Sequence, residues 1–137
     1  MFKKTKSKSL FINLFLFIFG AVGYMIIEIL WRGKTHWSMG IAGGTCFTLF
    51  GNLWNKFKAL PKIYIPILGS AVITIVEFIS GIIFNLILKM NVWDYSKIPF
   101  NFLGQICLLF STLWGFLSMP FIPLAGKIKE KLLNGFE

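Results

Sequence analysis

Glu77 is a carboxylate near the middle of a strongly apolar run, from Tyr64 to Leu88. An acid in such a segment must pair, hold its proton or face water, so it marks a functional site by default. Gly81 and Asn85 follow Glu77 at steps of four residues and continue a polar stripe along a helix. The stripe predicts a group that binds a cation, relays a proton or orients a substrate. The structural alternative is a hydrogen bond that holds neighbouring helices together.

A second group combines a carboxylate with the single arginine and the single histidine of the chain. Glu28 and Arg32 are four residues apart, so a continuous helix would place them on one side. A guanidinium binds a carboxylate in a bidentate geometry that lysine cannot copy. His36 follows closely, and histidine readily exchanges a proton near neutral pH. One interpretation of this group is a site that handles an anion or a proton. The alternative is an ion pair that anchors the end of a helix, with His36 as an interfacial residue.

Two further polar residues, Asp94 and Gln105, lie near the start of the last apolar segment. Asp94 belongs to a connection dense in turn formers and aromatic residues, and it could pair with Arg32 or Lys34. Gln105 carries an amide that must find partners if it is buried. Neither pattern has the ligand spacing of a metal site, so no metal or cofactor is predicted.

The composition is typical of a membrane protein. Hydrophobic residues make up 56% of the 137 residues and aromatic residues 18%, which lies outside the range of soluble proteins. A helix needs about 20 apolar residues to cross a bilayer, and the runs do not alternate as strands would. The predicted fold is therefore an all-α, polytopic bundle of four transmembrane helices in one domain over residues 1–137. The expected spans are residues 10–31, 38–54, 64–88 and 101–124.

The net charge of +9 is unevenly distributed along the chain. Ten basic residues precede the first span, separate the second from the third or follow the fourth, and four lie in the other two connections. The positive-inside rule then places both termini in the cytoplasm. Residues 125–137 form a basic cytoplasmic tail, either frayed or amphipathic, after a helix end that Pro120 and Pro123 should disrupt. The charge favours anionic lipid over nucleic acid as a partner.

No motif for ATP hydrolysis or another hydrolase activity is present. Gly40 and Gly44 are in GxxxG register, which favours close helix packing over phosphate binding. Cys46 and Cys107 lie within apolar spans, where packing thiols are the rule. Catalysis on lipid by His36 with Asp94 or Glu28 is the least favoured of three functional interpretations.

Strings of residues in both halves resemble a bacterial family, the putative ABC-transporter type IV (CmpB-like) family. In the first half of the chain, the resemblance lies in Glu28 to Gly33, His36 to Met39 and Gly43-Gly44. In the second half, it lies in Asn91 to Ser96, Pro99 to Asn101 and Gly104 to Leu108. The resemblance implies a small multi-pass protein of the bacterial inner membrane. It also implies that any ATP-driven activity needs a separate ATPase as partner.

The leading functional hypothesis is a small transporter or channel-like protein for an ion or small solute. Glu77 would be the intramembrane binding or proton-coupling group, and Glu28 with Arg32 an outer gate. Four helices rarely enclose a wide path, so transport would involve a homo-oligomer in the lipid bilayer. The alternative is a non-catalytic interaction or assembly subunit that works with a partner protein, in which the polar residues fix helix packing.

Overall fold

The chain folds into a bundle of four helices with one small hairpin. The computed structural model describes the backbone of residues 2–135 and the side chains of residues 7–135, so the last two positions of the expected tail lie outside it. The helices are α1 (Phe2–Arg32), α2 (Trp37–Phe57), α3 (Tyr64–Gly81) and α4 (Leu108–Gly135). A π-helical turn, Ile82–Ile87, continues α3. Strands β1 (Asn101–Phe102) and β2 (Ile106–Cys107) pair antiparallel between α3 and α4.

Glycines bring α1 and α2 together as an antiparallel pair. A Cβ atom added to Gly44 would lie 2.7 Å from the backbone oxygen of Phe17, and one added to Gly43 would strike Tyr24. Small residues allow such close backbone approach between membrane helices. The packing interpretation of this glycine segment is therefore confirmed.

Helices α3 and α4 form the second antiparallel pair. Gly69 packs directly against Ser118. The hydroxyl of Ser70 donates to the backbone oxygen of Ser111 at 2.6 Å, and the hydroxyl of Thr74 donates to that of Ser111 at 2.8 Å. These bonds satisfy polar groups within the bundle that a membrane could not satisfy.

One end of the bundle collects basic residues, and we call it the basic end. Lys58 donates to the carboxylate of Glu130 at 2.9 Å, and the indole N–H of Trp54 donates to the same oxygen at 3.1 Å. Lys129 also reaches the side chain of Asn52 on α2. The lysines of the α2–α3 connection and of the end of α4 therefore lie at the same end of the bundle.

Three of the helices are long and apolar enough to cross a membrane. By length and composition the candidate spans are Ser7–Arg32, Tyr64–Ile87 and Leu108–Gly135. Helix α2 is not among these candidates. The three apolar helices fit a multi-pass membrane protein.

The prediction for the last helix was wrong at both ends. Residues 101–107 form the hairpin, because the Asn101 side chain donates to the Ile98 carbonyl and accepts from the Gly104 N–H, which closes a turn. Helix α4 therefore begins at Leu108, and the all-α description holds only outside these two short strands. It then runs through Pro120 and Pro123 to Gly135, so residues 125–135 are part of α4 and not a separate tail.

Packing explains why the two prolines do not end α4. Ile122, between them, is completely buried, and Gly126 lies against the indole ring of Trp54. Proline removes a single backbone donor from a helix, and tertiary contacts in a membrane protein commonly offset that loss.

Candidate functional site

A cavity of about 100 Å³ lies between the four helices. Most of its lining is apolar or aromatic, and the rings that contribute include Phe19, Tyr24, Phe47, Phe50, Trp114 and Phe121. Glu77 also lines the cavity, whereas none of the described lining residues is a lysine, an arginine or a histidine. The cavity therefore combines an apolar wall with a carboxylate.

Glu77 is held in place by one partner and leaves one oxygen free. Its Oε2 accepts a hydrogen bond of 2.7 Å from the indole N–H of Trp114, which joins α3 to α4. Its Oε1 is buried and has no hydrogen-bond partner among the residues that the structure describes. An unpaired polar atom in such surroundings is costly. Glu77 therefore holds a proton or takes a ligand at Oε1.

Aromatic rings connect this cavity with the connection that follows α3. Trp114 lies 6.4 Å from the ring of Tyr24 and 6.0 Å from that of Phe110, measured between ring centroids. Phe110 stacks on Tyr95 at 4.9 Å. Burial raises the pKa of Tyr95, which lies outside the apolar spans, so its hydroxyl stays protonated.

Sequence reasoning did not select Tyr24 or Trp114 as site residues. The available signal was a tryptophan well inside an apolar span, because a buried indole N–H needs an acceptor. Only the packing of α3 on α4 shows that this acceptor is Glu77, 37 residues away.

Asn85 and Gln105, both selected from the sequence, bind each other. The Asn85 amide donates to Oε1 of Gln105 at 2.8 Å, and Asn85 Oδ1 accepts from the backbone N–H of Val92 at 2.7 Å. The Gln105 side chain donates to the Leu103 carbonyl at 2.9 Å. The buried indole of Trp93 donates to the Gln105 carbonyl at 3.0 Å. These bonds fold residues 88–107 onto the ends of α3 and α4. We call this segment the outer loop because it lies at the end of the bundle opposite the basic end.

Asp94 stabilises a turn in the outer loop. Its Oδ1 accepts from the backbone N–H of Ser96 at 2.9 Å. This hydrogen bond lowers the pKa of the exposed carboxyl, which keeps it ionised at neutral pH. The expected pairing of Asp94 with Arg32 or Lys34 was therefore wrong, because the carboxylate turns back onto its own loop.

Glu28 and Arg32 form the ion pair that their spacing suggests. The atoms Oε1 and Nη2 lie 2.5 Å apart, and Thr35 donates to the other oxygen of Glu28 at 3.2 Å. Glu28 is only 6% exposed. The group ties the end of α1 to the following turn, which agrees with the anchoring interpretation.

His36 is the N-cap of α2. Its Nδ1 accepts from the backbone N–H of Ser38 at 3.2 Å and lies 2.7 Å from the hydroxyl of the same residue. A side chain in this position satisfies one of the unpaired N–H groups at a helix start. The ring thus has a structural partner on its own chain segment.

Replacing His36 by alanine is expected to lower the free energy of unfolding by about 1 kcal/mol, because the first turn of α2 loses its cap. Thermal unfolding in detergent measures the change. The control is His36→Asn, which can accept the same hydrogen bond and should restore most of the stability. Equal losses in both variants would contradict the capping role.

The three apolar helices fit a multi-pass membrane protein, and Glu77 lies within one of these candidate spans. The family model described as "Putative ABC-transporter type IV" matches residues 2–136, and the chain belongs to this family. The resemblance seen in the sequence is thereby confirmed over nearly the whole chain. Comparison with curated proteins and with solved structures found no match.

Proposed function

We propose that the protein is a small transporter or channel-like protein for an ion or small solute, with Glu77 as its binding and proton-coupling group. The observation that carries the proposal is that Glu77 lines a cavity and that its buried Oε1 has no hydrogen-bond partner among the described residues. A carboxyl group in this state can exchange a proton for a ligand. Such an exchange couples movement of the ligand to movement of a proton.

Helix α2 supplies the fourth crossing in this proposal. Its 21 residues extend over about 31 Å at the usual rise of a helix, which matches the bilayer core. It runs beside α1 from the Asn52–Asn13 hydrogen bond to the contact of Gly40 with Met25. With four crossings and the basic end in the cytoplasm, both termini would lie on the cytoplasmic side of the bacterial inner membrane.

The ion pair of Glu28 and Arg32 then closes the outer end of α1 and would serve as the gate on that side. The cavity is too small to form a continuous path, so passage requires either a conformational change or an interface between copies of the chain. A separate ATPase, if ATP drives the movement, would bind at the basic end.

The alternative function, a membrane assembly subunit, is supported by a different observation. The hydrogen bond from Trp114 to Glu77 joins two helices, and this could be the whole role of the carboxylate. Under that alternative, loss of the acid would change assembly and no flux would exist to be lost.

Glu77→Gln is the variant that tests the proposal, because glutamine can still accept from Trp114 but cannot exchange a proton. Na⁺, K⁺, small organic cations and neutral solutes are added in turn to proteoliposomes that contain a pH-sensitive dye. The dye reports the flux of protons that accompanies each solute. We expect the parent to move protons with one of them, and the variant to lose at least 90% of that flux. Glu130→Gln, which removes a carboxylate at the basic end, should retain it.

Parent-like flux in Glu77→Gln would overturn the proposal. Absence of flux with every solute, together with a changed oligomer size in Glu77→Gln, would instead establish the assembly function. Oligomer size is measured by light scattering of the detergent-solubilised protein.

A further inference from the structure

The lining of the cavity specifies a chemical class of ligand. We propose that the cavity binds a small organic ammonium ion, with the cationic nitrogen at Oε1 of Glu77 and the alkyl groups against the aromatic wall. This inference rests on the proposed transport function and names its substrate class.

The charge of the site favours a cation. Trp114 already occupies Oε2 of Glu77, which leaves Oε1 as a buried acceptor. No lysine, arginine or histidine is found among the described lining residues. An anionic ligand would therefore meet a carboxylate without a compensating positive charge, whereas a cation would supply the charge that the carboxylate lacks.

The wall favours an organic cation over a metal ion. Calcium and magnesium bind to six or more oxygen atoms, and the described lining offers few: the Ser118 hydroxyl already donates to the Gly115 carbonyl. Alkylammonium ions need a different environment. Their charge is stabilised by the faces of aromatic rings within about 6 Å, and Tyr24 and Trp114 present such rings beside Glu77.

The size of the cavity limits the ligand to a few carbon atoms. A cavity of roughly 150 Å³ accommodates benzene, and this one measures about 100 Å³. Phe19 lies in its lining and remains 43% exposed, so the cavity is not sealed on that side. Tetramethylammonium, which is about as large as benzene, is therefore the upper limit of size and would extend to the unsealed side of the cavity at Phe19.

Binding also balances in charge. A protonated Glu77 releases its proton to water when the ammonium ion takes its place, and no oxidation or reduction occurs. One proton is therefore released for each ion bound, and the charge of the cavity contents is unchanged. This balance is what an exchanger of protons and organic cations needs.

The experiment measures binding of radiolabelled tetramethylammonium to the full-length protein in lipid nanodiscs. Its uncharged competitor is tert-butanol, which has a similar size and shape. We expect tetramethylammonium to bind with release of about one proton, tert-butanol to compete at least tenfold more weakly, and Glu77→Gln to weaken binding at least tenfold. Glu130→Gln should bind as the parent does.

Gly23→Val is a second variant that tests the cavity without touching its charge. Gly23 lines the cavity, and a Cβ atom at this position has no atom within 4 Å. The added methyl groups should therefore reduce tetramethylammonium binding without disturbing helix packing. Parent-like binding in Gly23→Val would place the ion elsewhere and overturn the inference.

Failure of this inference can be separated from failure of the proposed function. If no ammonium ion binds but another solute drives a proton flux that needs Glu77, the substrate class is wrong and transport stands. If tetramethylammonium binds at Glu77 but no solute moves, transport is wrong and the binding site stands. If tert-butanol competes as well as the ammonium ion and Glu77→Gln binds normally, the cavity recognises apolar groups without using the charge. That result would overturn the inference.

Discussion

Replacing Gly69 by valine is expected to lower the free energy of unfolding by about 3 kcal/mol, which is the upper part of the usual cost of overpacking. A Cβ atom on Gly69 would overlap the side chain of Ser118 and lie 3.0 Å from Cδ1 of Ile122. Ser118 and Ile122 are both completely buried, so neither can move aside. The substitution must therefore move α3 away from α4. This movement would also break the Trp114–Glu77 hydrogen bond, which joins the two helices.

Gly23→Ala is the matched control, since it adds the same kind of atom to a helix where no atom lies within 4 Å of it. Its stability should equal or slightly exceed that of the parent, because alanine is the better helix former by about 1 kcal/mol. Both variants are compared by denaturant unfolding in mixed micelles. A parent-like midpoint for Gly69→Val would contradict the close α3–α4 contact.

Asn85→Leu is expected to release the outer loop from the bundle. The change removes two hydrogen bonds of 2.7 and 2.8 Å and leaves the Gln105 carbonyl oxygen Oε1 and the Val92 N–H without their partner. Gln105 is only 4% exposed, and each buried group left unpaired costs about 1–3 kcal/mol. Amide hydrogen exchange over residues 91–107 should accelerate at least tenfold.

Asn52→Leu makes the same chemical change on α2, near the basic end. Asn52 binds Asn13 and Lys129, so its loss should affect that end and leave exchange over residues 91–107 as in the parent. Unchanged exchange of the outer loop in Asn85→Leu would show that other contacts hold it.

The first three helices could be predicted from hydrophobic runs, and the reason is physical. Continuous apolar segments between short polar connections have few alternatives in a bilayer. The ends were less accurate: α1 was expected from residue 10 but begins at Phe2, since lysine and serine do not stop a helix. The π-helical turn Ile82–Ile87, which carries Asn85, has no signature in the apolar composition of this segment.

The outer loop and the start of α4 could not be predicted in the same way. Residues 101–107 are apolar enough to extend a span, but left-handed backbone at Phe100, Leu103 and Gly104 turns the chain into a hairpin. Hydrogen bonds from Asn101 and Gln105 make this conformation possible. A hydrophobicity pattern carries no information about such local bonds.

The candidate site was predictable in its carboxylate and not in its surroundings. Glu77 stands out because an acid at that depth is unusual. The cavity and Trp114 depend on how α3 meets α4 and how α1 approaches α2, which involve residues far apart in sequence. Spacing therefore grouped Asn85 with Glu77, whereas the structure pairs Asn85 with Gln105 and Glu77 with Trp114.

The contacts between α2 and α1 bear on how the nascent chain would insert into the bilayer. Thr45, Thr48 and Asn52 each donate to a carbonyl of the preceding turn of α2, and Asn52 also donates to Asn13 of α1. If α2 is the fourth crossing, as we propose, this bond between the two helices favours their entry into the membrane together as a hairpin. The strongly apolar α1, which is a candidate span, would then provide the driving force for both helices.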